Sequence, residues 1–117
     1  MSRGNILLEP VTRADLERMA ADQFGDMVKG VVDVARRIMA IGGELHSDDE
    51  AALLDDGSRQ EDLWGINLYP GESGEGWIEF DSLINVRPRQ ANRSRDVEDE
   101  SVRRAIREIV GSLVTRP

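Results

Sequence analysis

The chain has no cysteine and only one lysine, one histidine and one tyrosine among its 117 residues, and these shortages exclude several kinds of chemistry. Without cysteine there are neither disulfides nor thiolate nucleophiles. The single histidine, His46, supports no Ser/His/Asp arrangement, and the phosphate-loop and dinucleotide-binding fingerprints are absent. No segment approaches the roughly 20 apolar residues of a membrane span, and the first residues lack the apolar core of a signal peptide. We therefore expect a cytoplasmic protein.

The net charge and its distribution along the chain limit the kinds of partner that the protein is expected to bind. The formal net charge is −8, and Lys29 is the only lysine. Nucleic acid is an unlikely partner, since phosphate binding requires concentrated positive charge. The charge is uneven, because residues 44–62 carry eight acidic residues against Arg59, whereas residues 82–95 carry four arginines and no acidic residue. The length and the apolar content of 39% fit a single globular domain over residues 1–117.

Two alternating segments, residues 63–70 and 77–81, flank a glycine-rich loop and predict a β-hairpin. Pairing Leu68 with Ile78 places the apolar side chains of both strands on one face, because a strand alternates its faces with a period of two. The other pairs of this register are Ile66 with Phe80, Tyr69 with Trp77, Asn67 with Glu79, and Gly65 with Asp81. Trp64 then lies on the core face.

The first half of the chain predicts a strand, a helix and a second hairpin. Residues 5–8 form a short apolar run before Pro10. Thr12 and Asp15 have the spacing of a capping box and predict a helix over residues 13–24. Residues 27–43 fit a helical stripe nearly as well as strands. Their β-branched density and Gly30 favour a hairpin, with strands 27–34 and 38–44.

The second half predicts two further helices and an additional strand. Ser47 and Glu50 complete a capping box that opens a short helix through Leu54. Residues 83–87 continue the sheet as a strand that ends at Pro88. A final helix over residues 97–114 carries an apolar face, and Asp99–Arg103 and Glu100–Arg104 have the spacing of stabilising ion pairs.

Together these elements predict an α+β fold. A single, mainly antiparallel sheet consists of two hairpins and an N-terminal strand, and three helices cover its apolar face. The opposite face is expected to be partly exposed to water.

Four stretches also resemble a known family: residues 38–46 (IMAIGGELH), 60–70 (QEDLWGINLYP), 77–88 (WIEFDSLINVRP) and 90–94 (QANRS). They resemble a small bacterial family of uncharacterised proteins, a domain of unknown function. The resemblance covers almost the whole chain. It implies bacterial origin and a stand-alone domain, and it brings no activity, substrate or catalytic residue with it.

The polar face of the central hairpin is the first candidate site. Glu79 and Asp81 lie on one side of a strand, about 6.5–7 Å apart, and either bind a cation or divide acid and base roles. Such residues are poor strand formers, which favours a site, although an open sheet face is also polar simply because it meets water. The candidate binding residues on this face are Asn67, Tyr69, Trp77, Glu79, Asp81, Asn85 and Arg87.

An arginine-rich loop and the histidine are weaker candidates. The loop contains Arg87, Arg89, Arg93 and Arg95. Arg93 is retained as a binding residue because guanidinium groups suit phosphate or carboxylate, although the acidic residues that follow the loop can neutralise it. His46 next to Glu44 is under-liganded for a metal, so we interpret it as a residue that flanks a helix.

The sequence therefore favours a small binding or protein-interaction module that uses the open sheet face and the arginine-rich loop. Its partner is a protein or a small molecule, homo-oligomers are left open, and we expect no cofactor and no bound metal. The alternative is a small hydrolase, metal-assisted or not, that uses Glu79 and Asp81. No catalytic residue is assigned.

Overall fold

The computed structural model describes residues 4–115, and these have the predicted α+β architecture. The helices are α1 (Arg13–Asp22), α2 (His46–Asp55) and α3 (Glu100–Leu113). The strands are β1 (Asn5–Ile6), β2 (Val11–Thr12), β3 (Val28–Asp33), β4 (Ile38–Ile41), β5 (Leu63–Leu68), β6 (Ile78–Glu79) and β7 (Val114–Thr115). None of the helices in the described range is long and apolar enough to cross a membrane.

Five strands form one antiparallel sheet in the order β1-β4-β3-β5-β6, while β2 and β7 pair in parallel as a small second sheet. Residues 27–43 are a hairpin and not a helix, as the β-branched density predicted. The carboxylate of Asp33 accepts bonds at 2.9 Å from the backbone N–H groups of Ala35 and Arg36, and Arg37 has a φ of 58°. This side-chain bonding closes a turn that carries no Asn-Gly signal.

The central hairpin has the predicted register at its turn end. Asn67 pairs with Glu79 and Leu68 with Ile78. β6 ends at Glu79, however, so the predicted pairings of Ile66 with Phe80 and of Gly65 with Asp81 are wrong. Both backbone groups of Gly65 bond instead to the side chain of Asn85.

The two faces of the large sheet are covered by different helices. One face packs against α1 and α3 in a core cluster that includes Val28, Ile66 and Leu68. The other face packs its Val31 and Leu63 against α2. The expectation that all three helices share one face is therefore wrong in respect of α2. The cause is that β3 and β5 carry apolar residues on both faces, so each face requires a covering layer.

Side-chain caps determine where the helices begin, and the sequence predicted some of these caps correctly. The Thr12–Asp15 capping box is present, with both bonds at 3.0 Å, although α1 ends at Asp22 and not at residue 24. α2 begins at His46, earlier than the Ser47–Glu50 box predicted, because the carboxylate of Asp48 accepts from the backbone N–H of Leu45.

The last helix is shorter than predicted, and the segment before it is not the predicted strand. α3 begins at Glu100, and its N-cap is Asp99. Arg103 pairs with Asp96 and Arg107 with Glu100, so the predicted i,i+4 pairs are not the ones formed. The predicted strand over residues 83–87 is also wrong, because Leu83–Asn85 is a 3-10 turn.

Candidate ligand-binding cleft

A row of three polar residues crosses the sheet on the face that α2 covers. Lys29 lies directly opposite Asn67, and Asn67 lies directly opposite Glu79. Directly opposed residues of neighbouring strands project to the same side. Adjacent strands lie about 4.8 Å apart, so the row spans roughly 10 Å from β3 to β6. An ammonium, an amide and a carboxylate thus stand side by side at the end of this face that α2 leaves open.

Asn67 is the buried centre of the row. Its side-chain nitrogen donates to Oε1 of Glu79 at 2.9 Å and to the backbone oxygen of Asp81 at 3.1 Å. Both partners only accept, so the orientation of the amide is determined. Its Oδ1 is buried and accepts no hydrogen bond of normal geometry in the described part of the chain, although the His46 ring lies close enough to interact with the Asn67 side chain, and the residue is only 6% exposed.

Lys29 brings the only ammonium of the chain other than the N-terminus to the same place. The residue is half-buried, and its Nζ lies 5.1 Å from the centroid of the Phe24 ring. Within residues 4–115 the Nζ atom of Lys29 has no hydrogen bond and no ion pair. The Nζ atom retains contact with solvent, so the ammonium is hydrated, and no carboxylate of the described range pairs with it.

His46 enters the cleft from the first turn of α2. Its Nε2 lies 2.9 Å from the backbone oxygen of Ile66, which only accepts, so Nε2 carries the proton of the neutral ring. Burial lowers the pKa of His46 below its usual value. The bond to Ile66 and the side chain of Asn67 oppose that shift, while the nearby charge of Lys29 adds to it. The imidazole is therefore neutral at pH 7, with a lone pair on its other nitrogen.

Tyr69 and Glu79 form the wall toward the edge of the sheet. The Tyr69 hydroxyl donates to Oε1 of Glu79 at 3.1 Å. Burial raises the pKa of Tyr69 to about 12, and its bond to the Glu79 carboxylate contributes in the same direction. The phenol is therefore neutral and remains a donor at physiological pH.

The cleft that these residues line has a volume of about 640 Å³, and its charges balance. Its basic residues are Lys29 and Arg95, and its acidic residues are Glu79 and Asp81. Asp81 and Arg95 pair with each other at 2.7 Å, which leaves Lys29 and Glu79 as the charged residues of the cleft that have no ion pair within the described range. The volume lies within the range of small-molecule sites.

Two of the predicted site residues have internal roles. Asn85 is fully buried, and its amide bonds both backbone groups of Gly65 and the backbone oxygen of Arg95 at 2.8–3.0 Å. Arg87 donates to the backbone oxygens of Ile84, Gln60 and Leu63. Its guanidinium lies 4.5 Å from the centroid of the Trp64 ring, and burial lowers its pKa. Neither residue lines the cleft.

Trp77 and Arg93 also lie elsewhere. Trp77 is in a 3-10 turn, which interrupts the strand alternation, and it packs toward the α1–α3 core beneath the guanidinium of Arg13 at 4.0 Å. The prediction that it shares a face with Tyr69 is therefore wrong. Arg93 is exposed, and its backbone N–H is bonded to Glu98. Of the predicted candidates, the cleft brings together Asn67, Tyr69, Glu79 and Asp81.

Sequence reasoning did not assign Lys29, His46 or Arg95 to this group. The usable signal for Lys29 was a charged residue inside a β-branched strand, between Val28 and Gly30. His46 and Arg95 belong to segments that are distant in sequence and give no such signal. Among the described residues, no group of three or more His, Cys, Asp or Glu side chains is placed to hold a metal ion.

The fold and the cleft define an antiparallel α+β protein with a polar cleft on the helix-covered face of its sheet. The chain belongs to a family of proteins of unknown function, DUF5674, whose model matches residues 5–113. This confirms the resemblance that its sequence stretches indicated. No curated protein and no solved structure matches the chain significantly.

Proposed function

We propose that the chain is a binding module for a small polar molecule, which occupies the cleft beside Lys29, Asn67 and His46. The observation that carries the proposal is the buried Oδ1 of Asn67, which has no donor in the described range although the orientation of its amide is determined. A buried polar atom without a partner costs about 1–3 kcal/mol. A ligand that donates a hydrogen bond there removes this cost.

Lys29 supports the same proposal independently. Asn67 has a buried acceptor without a donor, Lys29 has an ammonium without an ion-pair partner in the described range, and the two residues lie opposite each other on neighbouring strands. In a chain of net charge −8, an ammonium in a cleft without a carboxylate partner is ready to bind an anionic group. The cleft thus offers complementary groups to a ligand with both a donor and an acceptor.

A binding role explains the carboxylates better than hydrolysis does. The alternative of a small hydrolase requires Glu79 and Asp81 as metal ligands or as an acid and base. Glu79 accepts from Asn67 and Tyr69, and Asp81 is paired with Arg95. Both carboxylates are therefore engaged within the protein, which suits a positioning role and not proton transfer.

A larger cavity of about 860 Å³ lies between α1 and the loop after Tyr69, and we do not assign the function to it. Its charged side chains are all carboxylates, among them Glu17, Asp26 and Glu72, and all three are exposed. Exposed carboxylates are hydrated by water and require no ligand.

The test is a fragment screen followed by amide NMR on the ¹⁵N-labelled protein. We expect bound fragments to shift the side-chain amide of Asn67 and the backbone amides of Lys29 and Ser47, while amides of α3, on the opposite face, do not move. Asn67→Ala should abolish these shifts, whereas Asn5→Ala, an exposed position on β1, should leave them intact. Shifts confined to other surfaces, or unchanged binding by Asn67→Ala, would contradict the proposal.

A further inference from the structure

The charge balance of the cleft identifies the chemical class of its ligand. Resting on the proposed function, we infer that the ligand is a small zwitterion with an apolar group, in the manner of an apolar amino acid. Its carboxylate contacts the ammonium of Lys29, and its own ammonium donates to Oδ1 of Asn67. Its apolar group lies between Leu45 and Leu83.

We infer that the ligand carries two opposite charges because the cleft contains two opposite charges that have no ion pair within the described range. After Asp81 and Arg95 pair with each other, one positive charge (Lys29) and one negative charge (Glu79) remain at the two ends of the row. A ligand with a net negative charge is repelled by Glu79, and a ligand with a net positive charge is repelled by Lys29. A zwitterion matches both ends, since opposite charges attract and the half-buried ammonium of Lys29 gains a partner.

The ammonium is assigned to Asn67 because the acceptors cluster there. The free Oδ1 of Asn67 is a hydrogen-bond acceptor, and the neutral imidazole of His46, whose Nε2 proton is directed to Ile66, adds a second lone pair. An alkylammonium carries three N–H donors and no acceptor, so it matches a group of acceptors. A hydroxyl offers only one donor and gains less from this arrangement.

The apolar group is inferred from the two walls. Leu45, at the N-cap of α2, is 57% exposed, and Leu83, in the 3-10 turn, is 71% exposed, and both line the cleft. They belong to separate elements that meet only in the fold. Leucines exposed at the two sides of one polar cleft gain from covering by an apolar group, because burial of apolar surface is favourable.

A set of four matched probes separates the contributions. L-leucine carries all three features, glycine lacks the apolar group, 4-methylpentanoate lacks the ammonium, and 3-methylbutylamine lacks the carboxylate. We expect amide NMR titrations to show that L-leucine binds at least about tenfold more tightly than each of the other three, which is the factor that about 1.4 kcal/mol supplies. The shifts should centre on the Asn67 side-chain amide.

A pair of charge variants tests the assignment of the carboxylate. Lys29→Met retains the aliphatic stem and should weaken L-leucine at least about tenfold, while 3-methylbutylamine should bind no more weakly than before, because the change removes a like charge. Arg104→Met makes the same change of charge on α3, at the opposite face, and should bind L-leucine as the unmodified protein does. Circular dichroism confirms that both variants fold.

The outcomes separate this inference from the proposal on which it rests. If 4-methylpentanoate or 3-methylbutylamine binds at the cleft as tightly as L-leucine, the ligand carries a single charge; the zwitterion is then overturned and the binding cleft stands. If L-leucine does not shift the cleft while other fragments do, the inference also fails alone. If no fragment shifts the cleft, both fail.

Discussion

Asn67 lies on β5 and Asn85 lies in the 3-10 turn that bonds to the same strand, and the contrast between them separates structure from site. Asn85 is fully buried, and both its oxygen and its nitrogen are bonded within the protein. Asn67 is almost as buried, yet only its nitrogen is bonded within the described range. One amide completes the backbone bonding of Gly65, and the other leaves a buried acceptor without a donor in a residue that lines the cleft.

The difference teaches that burial of a polar residue does not by itself indicate its role. Asn85 substitutes for a neighbouring strand, because β6 ends before it reaches Gly65 and the exposed backbone groups require partners. Asn67 has β3 on one side and β6 on the other, so its backbone needs no such help. Its side chain is therefore available for a ligand.

The largest expected effect concerns Asp49, a third buried polar residue, which like Asn67 has an unbonded oxygen within the described range. Its Oδ1 accepts from the backbone N–H of Gly43 at 2.9 Å, while Oδ2 has no partner in the described range, and burial raises its pKa to about 8. The folded protein therefore holds a proton that the unfolded chain, with its ordinary value of 3.8, releases. The stability from this proton is fully present below pH 3.8 and is lost as the pH rises to about 8.

Between those values the free energy of unfolding should fall by up to about 1.4 kcal/mol per pH unit from this group. Asp49→Asn cannot ionise, so its stability should vary less with pH. Urea unfolding at several pH values between 5 and 8 measures the difference from the unmodified protein. Asp22→Asn, an exposed position at the end of α1, is the control. If the difference in unfolding free energy between Asp49→Asn and the unmodified protein does not change with pH, the idea that a proton occupies the unbonded oxygen of Asp49 is wrong.

The next largest effect sharpens the structural side of the comparison. Asn85→Ala leaves both backbone groups of Gly65 and the backbone oxygen of Arg95 without their partner. We expect a loss of about 3 kcal/mol and a fall in the melting temperature of about 10 °C or more. Calorimetry against Asn5→Ala measures it. A loss below about 1 kcal/mol would show that water replaces the amide.

Glu79→Gln tests the network at the cleft wall. The carboxylate accepts from Asn67 and Tyr69, and bonds to a charged acceptor are the stronger ones. The loss should be about 1 kcal/mol, or roughly 3–6 °C in the melting temperature. Since Tyr69 is the only tyrosine, its phenolate absorbance reports directly on the site. Its pKa should fall part of the way from about 12 toward 10.

The control for this variant is Glu72→Gln, an exposed carboxylate of the loop after β5. A Glu79→Gln variant that is more stable than the unmodified protein would mean that Glu79 is held under charge repulsion, and the wall would then be part of a reactive site.

The smallest effect on stability is expected for Asn67→Ala. The change removes two bonds to partners at the protein surface, and it also removes the unsatisfied Oδ1, so the two contributions offset each other. We expect a change below about 1 kcal/mol, measured in the same urea series as Asn85→Ala. A loss as large as that of Asn85→Ala would erase the distinction between the two residues.

Much of the fold was predictable because it depends on local patterns. The alternation of residues 63–68 and 78–79 set the hairpin register, and the Thr12–Asp15 spacing set the start of α1. The strand over residues 83–87 was not predictable as a 3-10 turn. Its alternation is real, but the backbone turns because the Asn85 side chain bonds where a strand backbone would.

The candidate site was predictable only where one hairpin carries it. Asn67, Tyr69 and Glu79 lie on strands adjacent in sequence, and alternation groups them. Trp77 follows the same alternation but departs from the face, because the three residues before β6 form a 3-10 turn. Lys29 and His46 reach the cleft from segments far apart in the chain, and single-sequence patterns carry no information on such contacts.

The sequence by itself determined the antiparallel hairpins, the register at the turn, the apolar faces of the helices and the shortage of groups for thiol chemistry. Each is a property of composition or of residues within one turn or one strand pair. Only the tertiary structure decided which face α2 covers, and therefore that Lys29, His46 and Asn67 meet. Helix packing depends on apolar surface summed over the whole sheet, a quantity that no local pattern contains.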